Sequence, residues 1–463
     1  MKQSLSLSFI LSAAGALLSS CTTAEPTTAL PAVQAQLAQR VDVQATWPLT
    51  ADERASSDAA TRELLAQDLT VDRAVQIALL NHRGLRATFE ELGLSQAGLA
   101  AATRLPNPTF SASVRWPDHS PRGPNAEFAL TAPLLESVLL PLRKHLAEDQ
   151  LTQVQRRVAH EVLALVADVK RAAYALMAEQ DFRAQLAVSV EINAAAADLA
   201  RRQYEAGNIS NLDFAQASAA AQQTQLDQLQ ADAAVRVARE QLNRLLGLTA
   251  GQTHWQMSGH LPPLPDTEPP LDDLESLALA QRLDLAAARA DAARAERALT
   301  LKRRTRLLPG TVDLGIDTER DSGGGRVTGP QLALQLPLFD QGQPEVARLT
   351  ALLRQSEDRV EALAAEIGSD VRTARDALNT ARGTTAFFQK KLLPQRRLIL
   401  HETLLHYNAM QVSPYELLVA KAQQQTAERM SNEALRDYWF ARTELERALG
   451  GRLPAAPPSH SKP

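Results

Sequence analysis

Residues 142–176, LRKHLAEDQLTQVQRRVAHEVLALVADVKRAAYAL, place apolar side chains mostly three or four positions apart. Leu146, Leu151, Val154, Val158, Val162, Leu165, Val169, Ala172 and Leu176 form this stripe, which is the period of a packed amphipathic helix. The pattern runs from Leu142 to Ala206 with no proline inside it. At about 1.5 Å per residue such a helix would extend roughly 98 Å. That is several times an ordinary globular helix, and it leaves coiled coil, helical repeat or fibre as the candidates.

The same pattern occurs again. Gly342 to Tyr407 carries Val346, Leu349, Leu353, Val360, Leu363, Ile367 and Val371 on its stripe. The two stretches end in matching segments, YEAGNISNLDFAQA from Tyr204 and YNAMQVSPYELLVA from Tyr407, 203 residues apart. LLG at Leu245 and ALG at Ala448 keep that spacing, and Pro133 and Pro337 nearly keep it. A unit of this size occurring twice is a tandem duplication. The repeats are expected at 69–249 and 271–450, joined by a Pro/Gly-rich linker at 250–270.

Each repeat reads as a half-length helix, a hairpin, a full-length helix and a second half-length helix. Thr70 is a candidate N-cap for the opening helix, which is expected to run to Arg104 before Leu105-Pro106-Asn107-Pro108 stops it. Its counterpart runs from Leu271 to Thr305. Two half helices of about 36 residues, end to end, span roughly 108 Å, close to one long helix. The parts therefore fit a cylinder wall in which each long helix lies beside two stacked short ones.

Strands are expected at about 109–116, 127–135, 311–318 and 327–338. In each, apolar residues alternate with polar or small ones: Phe110, Ala112, Val114 and Trp116 oppose Ser111, Ser113 and Arg115. Asp313 and Asp317 stand on the polar face of the third, so Arg115, Asp313 and Asp317 are candidate lumen residues. A soluble sheet with one buried face alternates in the same way. Aromatics near strand ends, and the absence of surrounding globular sequence, favour a membrane strand instead. Four strands cannot close a membrane barrel, and lipid does not tolerate open edges. The reading therefore requires several chains to pool their strands; three would supply twelve, around a water-filled lumen.

Bulk properties narrow the classes. The net charge of -4 and the lack of a basic cluster with interleaved aromatics give no argument for nucleic acid. No apolar run after residue 20 reaches the roughly 18 residues of a transmembrane helix. At the N-terminus, Lys2 and the apolar run Leu5 to Leu18 read as a signal peptide over residues 1–20. Leu18-Ser19-Ser20-Cys21 resembles the lipobox of bacterial lipoproteins, so Cys21, the only cysteine, is the expected lipidation (palmitate) site. One cysteine excludes an internal disulfide. Residues 21–68, with little periodicity, read as an extended, lipidated arm, and 451–463 as a disordered tail.

Enzyme signals fail on spacing. His401 and His406 flank Glu402 but stand five apart, whereas the zinc motif needs four. Gly323 to Gly325 lacks the lysine of a phosphate loop. The nine histidines do not cluster with cysteine, so no catalytic constellation, metal or cofactor is expected.

Lipobox, duplicated unit, paired hairpins and Y-x-x-G-x-x-(S/T) reversals together resemble the TolC/OprM/CusC family of bacterial outer-membrane efflux proteins, over about residues 69–450. RLPNPTF from Arg104 resembles the CzcC-type branch linked to heavy-metal efflux. The resemblance implies a mainly α fold with a small membrane β-barrel part: a homotrimer with a 12-stranded barrel in the cell outer membrane, continued by a periplasmic helical tunnel. It implies a passive exit duct for drugs or metal cations, fed by an inner-membrane RND-type pump through a periplasmic adaptor.

By position it makes the reversals the periplasmic tip, with Tyr204, Gly207, Tyr407 and Met410 in the turns. Asp213 falls in the family's closing network and Glu416 in a ring of acids. The chain departs from the pattern at Met410, where the family has glycine, at Val412, where a gating arginine stands, and at Val419, where a second ring acid stands.

The residues also allow plainer roles. Ser210 to Asp213 and Ser413 to Glu416 both fit a helix capping box. The tyrosines fit simple packing at the hairpin ends. Gly207 suits a turn with positive φ. At Met410 that conformation would cost roughly 1 kcal/mol, which predicts a different turn geometry there. Two rival functions remain at this level: the outer-membrane component of type I protein secretion, and a periplasmic adaptor or structural coiled-coil lipoprotein. An adaptor usually carries one hairpin, and this chain has two. The transported substrate is not legible.

Overall fold

The computed structural model describes residues 29–41, 43–116, 118, 123–269, 271–308, 311–320 and 323–454. The expected signal peptide, Cys21 and the end of the expected disordered tail lie outside the described residues. The first repeat follows two short helices, α1 (Leu30–Ala38) and α2 (Ala51–Leu65). It comprises α3 (Val71–Asn81), α4 (Arg83–Ala102), β1 (Thr109–Arg115), β2 (Asn125–Pro133), a short α5 (Leu134–Val138), the 66-residue α6 (Leu140–Glu205) and α7 (Asn211–Leu246). The second comprises α8 (Leu274–Gln281), α9 (Leu283–Thr305), β3 (Val312–Arg320), β4 (Arg326–Leu334), α10 (Gln343–Phe387), α11 (Leu393–Asn408) and α12 (Pro414–Leu449). The returning helices α7 and α12 are equal in length, 36 residues each.

The chain forms two compact units. One contains Glu90–Gln155 and Ala290–Gln355, including all four strands. These make one antiparallel sheet in the order β1-β2-β3-β4. The hairpins of the two repeats join through β2 and β3, where Leu130 faces Ile316 and Pro133 faces Asp313. Gly315 lies opposite Thr131, and a Cβ on it would sit 2.5 Å from the Leu130 carbonyl oxygen, so no side chain fits there. The third and fourth strands differ from expectation in their bounds. β4 stops at Leu334, and Leu336 and Leu338 continue the alternation outside the sheet.

The other unit contains Ala32–Phe89, Arg156–Arg289 and the chain from Ser356 onward. Its core is built twice. Val158, Val162, Val169 and Leu176 of α6 are buried, as are Ile77 and Leu85 of the opening helices and Leu242 and Leu246 of α7. In the second repeat Leu285, Ile367, Val371, Leu378, Tyr438, Leu445 and Leu449 are buried in one cluster. Burying a leucine or isoleucine contributes about 1.5–3 kcal/mol, so each stripe supplies the main stabilisation of its repeat.

Three expectations are corrected here. The opening helix is not continuous to Arg104: it breaks at His82 (φ -65°, ψ 111°), and its counterpart breaks at Arg282 (φ -65°, ψ 123°). Each break seats the left-handed glycine that ends a returning helix. A Cβ on Gly247 would lie 2.8 Å from the Asn81 carbonyl oxygen, and one on Gly450 would lie 3.0 Å from Arg282 Cγ. The Asn81 side-chain amide donates to the carbonyls of Leu246 and Gly247, at 3.0 and 2.8 Å. The backbone leaves the helix because the neighbouring helix end occupies that space.

The second long helix is also interrupted. A π-helical turn at Phe388–Leu392 separates α10 from α11. Pro394 lacks an N–H and its ring displaces the carbonyl one turn earlier, so the widened turn absorbs the mismatch.

The N-terminal arm is not wholly extended. Thr50 and Glu53 form a reciprocal capping box that starts α2, and the Arg40 guanidinium donates to the Gln281 carbonyl at 2.8 Å. Thr50-Ala51-Asp52-Glu53 carried that signal in the sequence.

Candidate functional site

The two reversals share one geometry. α6 ends with Gly207 at φ 73°; the Asn208 N–H donates to the Gln203 carbonyl and the Gly207 N–H to the Tyr204 carbonyl, at 2.8 and 2.9 Å. At the end of α11, Met410 has φ 57°; the Gln411 N–H donates to His406 and the Met410 N–H to Tyr407, both at 2.9 Å. Both are the paired 6→1 and 5→2 bonds of a Schellman C-cap. The different turn expected at Met410 is therefore not adopted: hydrogen bonds that satisfy the helix end hold methionine left-handed. Its side chain is 94% exposed, so no packing adds to that cost.

Three residues after each turn a helix begins on a capping box. The Asp213 N–H donates to Ser210 Oγ at 3.1 Å, and the Ser210 N–H returns to the Asp213 carboxylate at 3.2 Å. Ser413 and Glu416 repeat the exchange at 3.3 and 3.4 Å. Each carboxylate sits in the first turn, where the helix dipole favours negative charge.

Tyr204 stacks on Phe214 across its reversal, ring centroids 5.4 Å apart. Tyr407 is half-buried, and Val419 is exposed. Burial, with the charge of Asp213 second, pushes the Tyr415 phenol up. Tyr415 at the start of α12 therefore lies within the field of Asp213 at the start of α7, a proximity the sequence did not reveal.

The second surface is the sheet. Register puts Arg115, Glu127, Asp313, Asp317 and Glu319 on one face. Arg115 bonds Glu127 at 2.6 Å, and the Asn125 amide donates to Glu319 at 2.6 Å. Asp317 lies between Ala129 and Gly329, and its Oδ1 is enclosed with no hydrogen-bond partner among the described residues. This face carries four carboxylates against one guanidinium. The opposite face is mainly apolar and bare: Phe110, Leu130, Ile316 and Leu332 are each more than half exposed, and its polar residues, Thr318 facing Thr328 and Arg320 facing Arg326, gather at the β3–β4 turn end.

Two polar clusters in the helical unit were not found from sequence. Glu268, in the linker, accepts from Arg382 at 3.0 Å and Arg442 at 3.3 Å, and from the Tyr438 hydroxyl. Burial, with the Glu268 bond second, pushes the Tyr438 phenol up to about 12. Also in the linker, His260 Nδ1 meets Asp181 of α6, whose other oxygen accepts from the Leu261 N–H at 3.1 Å. The partners stand 79 or more positions apart, so no local signal links them.

Residues 74–248 match the protein family described as outer membrane efflux protein. The chain is 25% identical over 394 residues to the cobalt-zinc-cadmium resistance protein CzcC of Cupriavidus metallidurans, covering 83% of this chain and 91% of that one. Among solved structures, its fold is similar to the Campylobacter jejuni CmeC outer membrane channel, with a TM-score of 0.72 at 15% identity over 89% of this chain and 90% of that one. It is also similar to CusC, with a TM-score of 0.69 at 15% identity over 89% of this chain and 99% of that one.

Proposed function

The chain is a relative of the outer membrane efflux proteins, and from that premise we propose that it is the outer-membrane channel of a tripartite efflux system, working as a homotrimeric, passive exit duct. One observation carries the reading: a four-stranded sheet with a bare apolar face and, among the described residues, unpaired outer edges on β1 and β4. In lipid each unpaired backbone group costs several kcal/mol, so the edges must close on other copies. Two copies would give eight strands, a barrel filled by its own side chains, whereas three give twelve and leave a lumen. The apolar face then meets lipid and the face with Arg115, Asp313 and Asp317 meets water.

Cys21 is the proposed lipid anchor. The reversals at Gly207 and Met410, with Tyr204, Asp213, Tyr407 and Glu416, are the proposed periplasmic tip, where an adaptor joins the duct to an inner-membrane pump of the RND type. The excess of carboxylates on the sheet's polar face, and similarity to a relative named for cobalt, zinc and cadmium resistance, favour metal cations as cargo.

Planar-bilayer conductance of the purified full chain, with its mass in detergent, tests this. A conducting, cation-preferring trimer is expected; a monomer with no conductance would defeat the reading.

A further inference from the structure

The end of α9 and the turn that follows it read Lys302-Arg303-Arg304-Thr305-Arg306-Leu307-Leu308, and no acid occurs between Glu296 and Asp313. Arg303, Arg304 and Arg306 are exposed, and so are Leu307 and Leu308. The first repeat has nothing equivalent: its corresponding segment keeps only Arg104 before Leu105.

A second exposed segment adjoins this one. Val312 pairs with Leu334, and the Gln335 N–H donates to the Thr311 carbonyl at 3.1 Å, so the chain leaving β4 emerges beside the chain entering β3. Further on, a Cβ at Gly342 would lie 3.0 Å from Lys302 Cε and 3.4 Å from Arg306 Cβ. Between these two contacts the chain displays Leu336, Leu338 and Phe339, the last 99% exposed. They prolong the alternation of Leu332 and Leu334 on the sheet's apolar face.

Of the nearby acids, Glu345 feels the charge of Lys302, and neither it nor Asp340 bonds Arg303, Arg304 or Arg306 among the described residues. Glu345 pairs with Arg348 at 2.7 Å, and Asp340 accepts from the Gly342 N–H at 2.8 Å.

We propose that residues 302–308 and 336–339 form a clasp for one anionic phospholipid, with Arg303, Arg304 and Arg306 on the phosphate and Leu336, Leu338 and Phe339 along the acyl chains. The clasp rests on the reading of the sheet as membrane-spanning, with which its apolar part is continuous. Bare apolar side chains beside unneutralised cations match the boundary between hydrocarbon and headgroups, where basic stems lie on the apolar layer and their charges reach phosphate. Each such cation contributes attraction to an anionic surface. A protein partner would need matching acids, whereas an anionic lipid supplies both chemistries in one molecule.

Native mass spectrometry of the full chain in neutral detergent, titrated with dioleoylphosphatidylglycerol or dioleoylphosphatidylcholine, tests the clasp. The wild type should retain the glycerol lipid preferentially. Replacing Arg303, Arg304 and Arg306 by Gln should reduce that preference roughly tenfold, and replacing all three by Lys should keep it. Both variants should conduct like wild type. Equal retention of the two lipids by the wild type, or undiminished preference in the Gln variant, would overturn the clasp. A wild type that conducts without lipid preference sinks only this inference; one that fails to conduct sinks the channel reading.

Discussion

Gly207 and Met410, 203 positions apart, hold the same left-handed backbone conformation and close the two long helices with the same pair of hydrogen bonds. One repeat uses the residue that accepts this conformation freely, and the other does not. A Cβ at Gly207 would meet nothing within 4 Å, so Gly207→Ala should weaken its turn through the backbone alone, by about 1 kcal/mol. Met410→Gly should tighten the second turn by less than that, because glycine also loosens the unfolded chain. Amide exchange of Asn208 and Gln411 measures both; equal exchange changes of the same sign would refute the argument.

Glu416→Gln separates two roles of one carboxylate. Glutamine can still accept from the Ser413 N–H, so capping persists and stability should change by no more than about 0.5 kcal/mol. If the carboxylate lines the proposed tip, the reversal potential in a salt gradient should shift toward lower cation preference. An unchanged potential would leave Glu416 as a cap only. Ser413→Ala, by contrast, should cost about 1 kcal/mol through the lost cap.

Glu268 neutralises Arg382 and Arg442 and accepts from Tyr438, holding the linker on α10 and α12. Glu268→Ala leaves two half-buried cations without their acid and should destabilise the helical unit by about 3 kcal/mol. Tyr438→Phe keeps the ion pairs and should cost about 1 kcal/mol. Thermal unfolding followed by circular dichroism should rank them in that order.

His260 bonds Asp181, which raises its pKa above the ordinary histidine value. A raised folded-state pKa means that the contact adds stability below about pH 6.5 and loses it as pH rises through the shifted value. Exchange protection of the Leu261 amide should therefore fall between mildly acidic and alkaline pH, after correction for intrinsic rates. His260→Gln should flatten that dependence; the same slope in the variant would exclude the pair as its source.

Features carried by periodicity were legible from the chain alone. The long helices and the alternation of the strands each repeat within a window where neighbours in sequence are neighbours in space, and the duplication shows as the same local patterns returning 203 positions later. Helix breaks at His82 and Arg282 were not legible, because no proline or glycine occupies either position. They follow from Gly247 and Gly450 arriving from far along the chain. The π turn before Pro394 had a visible cause, and the capping box at Thr50 a visible motif, yet both are short signals beside long periodic ones.

Among the candidate residues, faces were readable and partners were not. Alternation placed Arg115, Asp313 and Asp317 on one side of their strands, while only the pairing of β2 with β3 brought them onto one sheet face. The linker's Glu268 and His260 were silent in sequence for the same reason.

The amino-acid sequence by itself determined the helices and strands, their repetition and the side of each strand that is apolar, since these follow from steric and hydrophobic preferences acting over a few residues. Tertiary structure alone decided where the helices break, which hairpins pair and which distant charges neutralise one another, because those outcomes depend on atoms brought together only when the chain is folded.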